Sequence, residues 1–342
     1  MIKLKKKNST FIIAEVGPNH NGSLKLALKM IRLIAKTGVD AIKFQLGDPE
    51  KVYSKDAFKA KYQKKEYKSK SILEMSKKIQ LRKEDHFKLA RLCKKHNVIY
   101  ACSAFDIDSL IFLDKKLNIP FFKIPSGEIN SLDMINYIAK SKKRIFFSTG
   151  MASFQEIENT LKKLKKFGNK KITILHCISS YPAEKKHLNL NVIDEIKKRF
   201  KHEVGYSDHS IGDEASLAAV AKGAKVIEKH VTISKKLIGP DHKSSITISK
   251  LNILVKKIRE LEVILGSRKR SLSNSEKNVK KVARKSLVSA FELRKGKILK
   301  RKDILFKRPG TGISPLDLEK VLGHKILRNI KKNKIIKSKD IK

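Results

Sequence analysis

The chain has 342 residues, with 79 Lys or Arg against 33 Asp or Glu and a formal net charge of +46, a length that allows one large domain and a small one. Three scattered cysteines, Cys93, Cys102 and Cys177, exclude a disulfide framework and a CxxC metal site, and no apolar run is long enough to cross a membrane. The charge does not argue for nucleic acid, because 66 of the basic residues are Lys spread over every predicted helix face, with Trp absent and Ile common, the mark of a compositional bias.

The start, Met1 to Lys7, is basic, and no signal-peptide core is expected after it; Cys102 and Cys177 sit inside apolar runs as buried thiols, which fits a reducing cytoplasm. From residue 10 to about 265 one unit repeats: a short apolar strand, a polar loop, an amphipathic helix. Strands are predicted at 10–16, 40–46, 98–104, 120–125, 144–148, 172–178, 203–208 and 225–231. Helices follow at 24–37, 84–95, 107–117, 131–141, 154–166, 190–200, 213–222 and 247–265. Their apolar residues recur at helical spacing, as in Leu26, Met30, Leu33 and Ile34. Eight strand–helix units predict an α/β fold, a closed (β/α)8 TIM barrel with a parallel sheet. No GxGxxG follows the first strand, against a dinucleotide fold. The Lys-rich stretch 48–80 reads as a partly ordered excursion on the catalytic face.

Residues 266–284 have a linker's composition. Beyond them, 285–342 reads as a small domain of short strands, with Ser286–Ala290 extended and a short helix at 316–322. The expected division is 1–265, 266–284 and 285–342.

In a barrel of this kind, chemistry gathers at the C-terminal strand ends. Strand one ends in Glu15, strand two carries Lys43 and Gln45, and strand three carries Ser103. Strand four gives Lys123 and Ser126, strand five Ser148, and strand six runs into Ser179 and Tyr181. Strands seven and eight end in Ser207-Asp208-His209 and Glu228-Lys229-His230. A lysine inside an apolar strand is costly unless it meets an anion. Lys43 and Lys123 with the serine hydroxyls therefore read as a phosphate or carboxylate clamp. Two strand-end imidazoles in register, His209 and His230, can hold a divalent metal with positions left open for substrate. For each of these residues alone a bland role, such as a turn serine or a rim histidine, competes with the functional one.

These residues resemble the sialic acid synthases, the phosphoenolpyruvate-condensing nonulosonic acid synthases. The resemblance runs from Ala14-Glu15-Val16-Gly17 to Lys307-Arg308-Pro309-Gly310. It is carried most specifically by Ser207-Asp208-His209, Ile227-Glu228-Lys229-His230, Gly239-Pro240-Asp241-His242 and Lys307-Arg308-Pro309-Gly310-Thr311-Gly312. It implies a barrel followed by a small antifreeze-like SAF domain. It implies a divalent cation, Mn²⁺ or else Mg²⁺ or Co²⁺, on His209 and His230, and phosphoenolpyruvate on Lys43, Ser103, Lys123, Ser126, Ser148 and Ser207. Gln45, Tyr181 and Asp241 would hold the sugar, with Ser179 facing it, and Glu15 and Glu228 would lie against the reacting groups. Arg308 would reach the acetamido group of an N-acetylated hexose from the partner subunit of a homodimer with swapped C-terminal domains. Ser179 stands where sialic-type members commonly have Asn, and the Gly239 and Gly310 loops look as much like those of legionaminic acid synthases. The exact sugar therefore stays open between N-acetylmannosamine and a 6-deoxy diacetamido sugar of the legionaminic or pseudaminic pathway. Two other readings compete: a pyruvate aldolase using Lys123 as a Schiff base, and a non-catalytic sugar- or polyanion-binding protein.

Overall fold

Eight parallel strands form the first compact unit of the chain, which ends at Gly266. A computed structural model describes residues 9–267 and 269–342; the basic start Met1 to Lys7 and Arg268 of the expected linker lie outside the described residues. The strands are β1 (Phe11–Glu15), β2 (Ala41–Leu46), β3 (Ile99–Ala104), β4 (Phe121–Ile124), β5 (Arg144–Ser148), β6 (Ile172–Cys177), β7 (Glu203–Asp208) and β8 (Val226–Thr232). They pair in the order β3-β2-β1-β8-β7-β6-β5-β4, and β3 lies beside β4, so the sheet is a nearly closed (β/α)8 barrel. A two-residue strand, β9 (Ile246–Thr247), pairs in parallel with the end of β8.

Side chains alternate between the two faces of each strand, and the barrel uses both. Phe11, Ile13, Ala41, Ala101, Phe121, Phe146, Leu175 and Val226 fill its interior floor. Phe121 and Phe146 pack there with ring centroids 4.7 Å apart. The outward-facing residues join the inner faces of the helices in a larger core that includes Ile12, Ile42, Met30, Ile34, Leu89 and Leu161. Each fully buried side chain of this size contributes roughly 1.5–3 kcal/mol. The helices begin and end where local chemistry dictates. Ser23 caps the helix Leu24–Ile34 by accepting from Leu26 N. Ser153 and Glu156 form a capping box at the start of Phe154–Lys165.

The excursion after β2 is more ordered than its composition suggests. It folds into helices Pro49–Val52, Lys61–Glu66 and Ile72–Ile79. Asp48 and Ser71 cap two of them, and Ile72 and Met75 are buried.

The second unit spans Ser267 to Lys342. Its strands β10 (Ser286–Ser289) and β11 (Ile304–Lys307) pair antiparallel. Leu287, Leu293, Leu299, Ile304, Ile326 and Ile336 make its core. The stretch read as a linker contains a helix, Asn274–Ala283, with a Ser273–Glu276 capping box and no buried residue. Val279 and Val282 are the only large apolar residues in this helix and both are exposed, so a Ser-, Asn- and Lys-rich composition suggested a linker.

Candidate active site

Directly above the aromatic floor, the barrel interior changes from apolar to charged. Strand register sets this layer: Glu15 is opposite Lys43, and Ser207 opposite Glu228. Alternation then turns Glu15, Lys43, Ser103, Lys123, Ser148, Ser207 and Glu228 inward together. All seven are buried. Lys43 Nζ lies 2.9 Å from Glu15 Oε2 and 3.7 Å from Glu228 Oε2, and it donates to Ser103 Oγ at 3.1 Å. Lys123 Nζ lies 3.3 Å from Glu228 Oε1, which also accepts from Ser207 Oγ at 2.9 Å. Gln45 Nε2 donates to Glu15 Oε1 at 2.8 Å. Neither lysine reaches solvent; each carries its charge against a carboxylate. The Ser148 hydroxyl is buried with no hydrogen-bond partner, as expected of a donor left for a bound anion.

The two carboxylates are driven apart. Burial opposes the ionisation of Glu228, but Lys123, Lys43 and His230 outweigh it and hold its pKa at about 2. At Glu15 burial prevails over Lys43 and raises the pKa. The lysines also differ. Burial lowers Lys123, whereas at Lys43 the attraction of Glu15 and Glu228 overcomes burial and raises it. The two carboxylates therefore sit in unlike electrostatic environments within one layer.

One layer higher, His209 and His230 stand side by side with ring centroids 5.3 Å apart, crossed at 71°. His209 Nδ1 lies 2.8 Å from Ile178 O, which holds the N–H on that nitrogen and turns the Nε2 lone pair to the Tyr181 hydroxyl, which donates to it at 3.1 Å. His230 Nδ1 is buried without a hydrogen bond, 3.3 Å from Asp241 Oδ2. Tyr181 stacks on His209 at 4.1 Å and meets His230 edge-on at 5.4 Å. Among the described residues no three His, Cys, Asp or Glu side chains converge on one point. A divalent cation would thus rest on two imidazoles and complete its shell with substrate and water. The oriented His209 lone pair and the unpartnered His230 nitrogen fit that use. Gly17 is needed here: with φ at +50°, a Cβ on it would come within 3.2 Å of Gln45 Nε2 and Glu15 Oε1.

A cavity of about 220 Å³ opens above, lined by Gln45, Tyr62, Tyr181, His230 and Asp241 among others. Ser179 is not on its wall. A Cβ on Gly150 would overlap Ser179 Oγ, and Ser126 Oγ accepts from Gly150 N at 3.0 Å, so Ser126, Ser179 and Gly150 form one group on the β4–β6 side. Of the candidate site residues, only Arg308 belongs to the second unit. Its Nε donates to Ala283 O at 2.8 Å.

Beside Tyr62 on the cavity wall, three further residues at the strand ends escaped the sequence reading. Cys177 Sγ lies 3.7 Å from His209 Nδ1. Asp208 and Lys229 sit inside the two histidine motifs yet point outward and pair with each other. Strand alternation was the available signal for both: position 208 between two inward residues must face the helices.

A family profile described as NeuB family matches residues 30–270, and one described as SAF domain matches 284–342. The chain is 42% identical to an N,N'-diacetyllegionaminic acid synthase of Campylobacter jejuni, over 96% of this chain and 99% of that one. It is 36% identical to the enzyme of the same name from Legionella pneumophila, over 94% and 91%. A crystal structure of an N-acetylneuraminic acid synthetase from Leptospira borgpetersenii, in complex with citrate, is 34% identical and superposes with a TM-score of 0.72, covering 79% of this chain and 90% of that one.

Proposed function

The chain belongs to the NeuB family, and on that premise we propose that it is a nonulosonic acid synthase, condensing phosphoenolpyruvate with an open-chain N-acetylated hexose and releasing inorganic phosphate. The observation that carries this reading is the buried array of Lys43, Lys123, Glu15 and Glu228 beneath the paired imidazoles of His209 and His230. Lys43 and Lys123, with the hydroxyls of Ser103, Ser126, Ser148 and Ser207, bind the phosphate and carboxylate of phosphoenolpyruvate. Gln45, Tyr181 and Asp241 orient the sugar. A divalent cation on His209 and His230, Mn²⁺ or alternatively Mg²⁺ or Co²⁺, would supply the Lewis acid that polarises the aldehyde.

Carbon–carbon bond formation leaves a cation at C2 of the former phosphoenolpyruvate, and Glu228, ionised, steadies it. The aldehyde oxygen takes up a proton from solvent as the bond forms, with Glu15 lying against the reacting groups. Water adds to C2 and its proton passes to a carboxylate. The C–O bond to phosphate then breaks, phosphate departing with the electron pair, and loss of the remaining hydroxyl proton leaves the keto acid.

The sugar is N-acetylmannosamine or a close relative. A second reading, a 6-deoxy diacetamido sugar, is favoured by the named activity of the Campylobacter and Legionella relatives. An aldolase reading would use Lys123, whose ammonium burial pulls below its ordinary range. We further infer a homodimer in which Arg308 of the small domain completes the partner's sugar site. The buried free thiols Cys93, Cys102 and Cys177 suit a cytoplasmic setting.

The test is phosphate release from phosphoenolpyruvate and Mn²⁺ with a panel of acetamido sugars in H₂¹⁸O. The label should enter the sugar acid; label in the phosphate means attack at phosphorus and overturns the carboxylate roles. Borohydride with pyruvate should leave the protein unmodified, and a trapped adduct on Lys123 would favour the aldolase.

A further inference from the structure

The excursion between β2 and β3 contributes an aromatic residue to the site that the strand ends do not. Tyr62, on the short helix Lys61–Glu66, places its ring 5.2 Å from that of Tyr181, at 31°. Tyr181 in turn stacks on His209 at 4.1 Å, with its hydroxyl 3.1 Å from Nε2. The contact is supported locally. Gln63 Oε1 accepts from Ala60 N at 2.9 Å, and Lys59 Nζ donates to Ser69 O at 2.5 Å, tying the two ends of the helix's loop together.

Tyr62 and Tyr181 line the same cavity as Asp241 and His230, whereas Lys43, Lys123 and Ser148 of the layer below do not. The excursion's wall also includes a second phenol, Tyr53, with Val52, Met75 and Ile79 among its apolar residues. The Tyr62 O–H is a donor at neutral pH, as in any phenol, and burial, then the Asp241 carboxylate, pushes its pKa further up. A hexose has apolar C–H faces and hydroxyl edges, and a half-buried phenol offers a partner to each.

We infer that Tyr62 is a sugar-positioning residue, brought to the barrel mouth by the excursion, which packs against Tyr181 and orients the acetamido sugar without touching the phosphoenolpyruvate site. The inference rests on the synthase reading above. A merely structural Tyr62 would cover the cavity and leave the balance between the two substrates unchanged.

The test separates these. With the sugar that the wild type turns over, Tyr62→Ala should raise KM for the sugar by about tenfold, the combined worth of an aromatic contact and a hydrogen bond, with KM for phosphoenolpyruvate unchanged. Tyr62→Phe, which keeps the stack, should lie between the Ala variant and the wild type. The chain has no Trp, so Tyr62→Trp creates a single reporter. Its fluorescence should change and saturate on adding that sugar alone, with no phosphoenolpyruvate and no metal. Equal effects of Tyr62→Ala on both KM values, no effect on either, or a Trp signal indifferent to sugar would each overturn the inference. Failure of the synthase reading looks different: the wild type itself would release no phosphate with any sugar.

Discussion

Lys229 Nζ lies 2.6 Å from Asp208 Oδ2, and the pair is sealed on the outer face of β7 and β8, behind the two imidazoles. Asp208 also accepts from Ser216 Oγ at 2.6 Å and from Ser210 N and Oγ, while Lys229 donates to Ser210 O at 2.9 Å. Every polar group of the pair is satisfied. Because the register sets Asp208 opposite Lys229, the next residues, His209 and His230, emerge level with one another.

Lys229→Met should therefore be costly, since it leaves the Asp208 charge buried and unpaired. Roughly 3–5 kcal/mol is expected, read as a lower denaturation midpoint. Adding Asp208→Leu should recover part of the loss. Midpoints that simply add would show that the two side chains are not coupled.

Removal of the metal should stop the reaction. EDTA should abolish phosphate release and Mn²⁺ restore it. His209→Ala and His230→Ala should each lose Mn²⁺ binding by calorimetry while remaining folded, because both rings lie above the apolar floor and outside the hydrophobic core of the barrel. Two variants that keep full activity in EDTA would refute the assignment.

Acid should destabilise the barrel through histidines outside the proposed catalytic set. Burial lowers the pKa of His20 to about 3 and of His86 and His242 to about 4. His86 shares a 2.6 Å hydrogen bond with Tyr100 OH, and His242 a 2.7 Å one with Thr232 Oγ1. Folded, these rings stay neutral; unfolded, each takes up a proton below roughly pH 6.5. The unfolded chain thus binds more protons, and stability falls as pH drops from about 6.5 towards 4, by of order 1 kcal/mol per unit for each ring. Thermal midpoints across this range should fall less steeply in His86→Phe. An identical slope would remove His86 from the account.

Arg308 supplies the test of assembly. Arg308→Ala and His209→Ala, both inactive alone, should complement when co-expressed with separate tags. In a swapped dimer, the barrel with intact His209 receives the intact Arg308 of its partner. A random mixture should regain about a quarter of wild-type activity, since half the dimers are mixed and each has one working site. Purified heterodimers as inactive as their parents would place Arg308 in its own barrel's service.

Much of this was legible in the residues alone. Period-two and helical spacing are local properties, so eight strand–helix units could be read without any contact being known. Polar residues at the ends of apolar strands marked the mouth, and alternation within Ser207-Asp208-His209 and Glu228-Lys229-His230 put the histidines on one face. Pairings could not be read, because they depend on which strands become neighbours. Lys43 meets Glu15 and Glu228 through the β1–β2 register and the curvature of the barrel, and Lys229 meets Asp208 only because β7 and β8 adjoin. The divergence of Glu15 and Glu228 has the same origin, since burial and neighbouring charge exist only in the closed barrel. The sequence by itself determined the barrel and the small domain, and it marked the strand ends where polar residues gather. The tertiary structure decided which charges face each other, where Ser179 lies, and that Tyr62 reaches Tyr181, because each is a contact between segments whose approach no local pattern encodes.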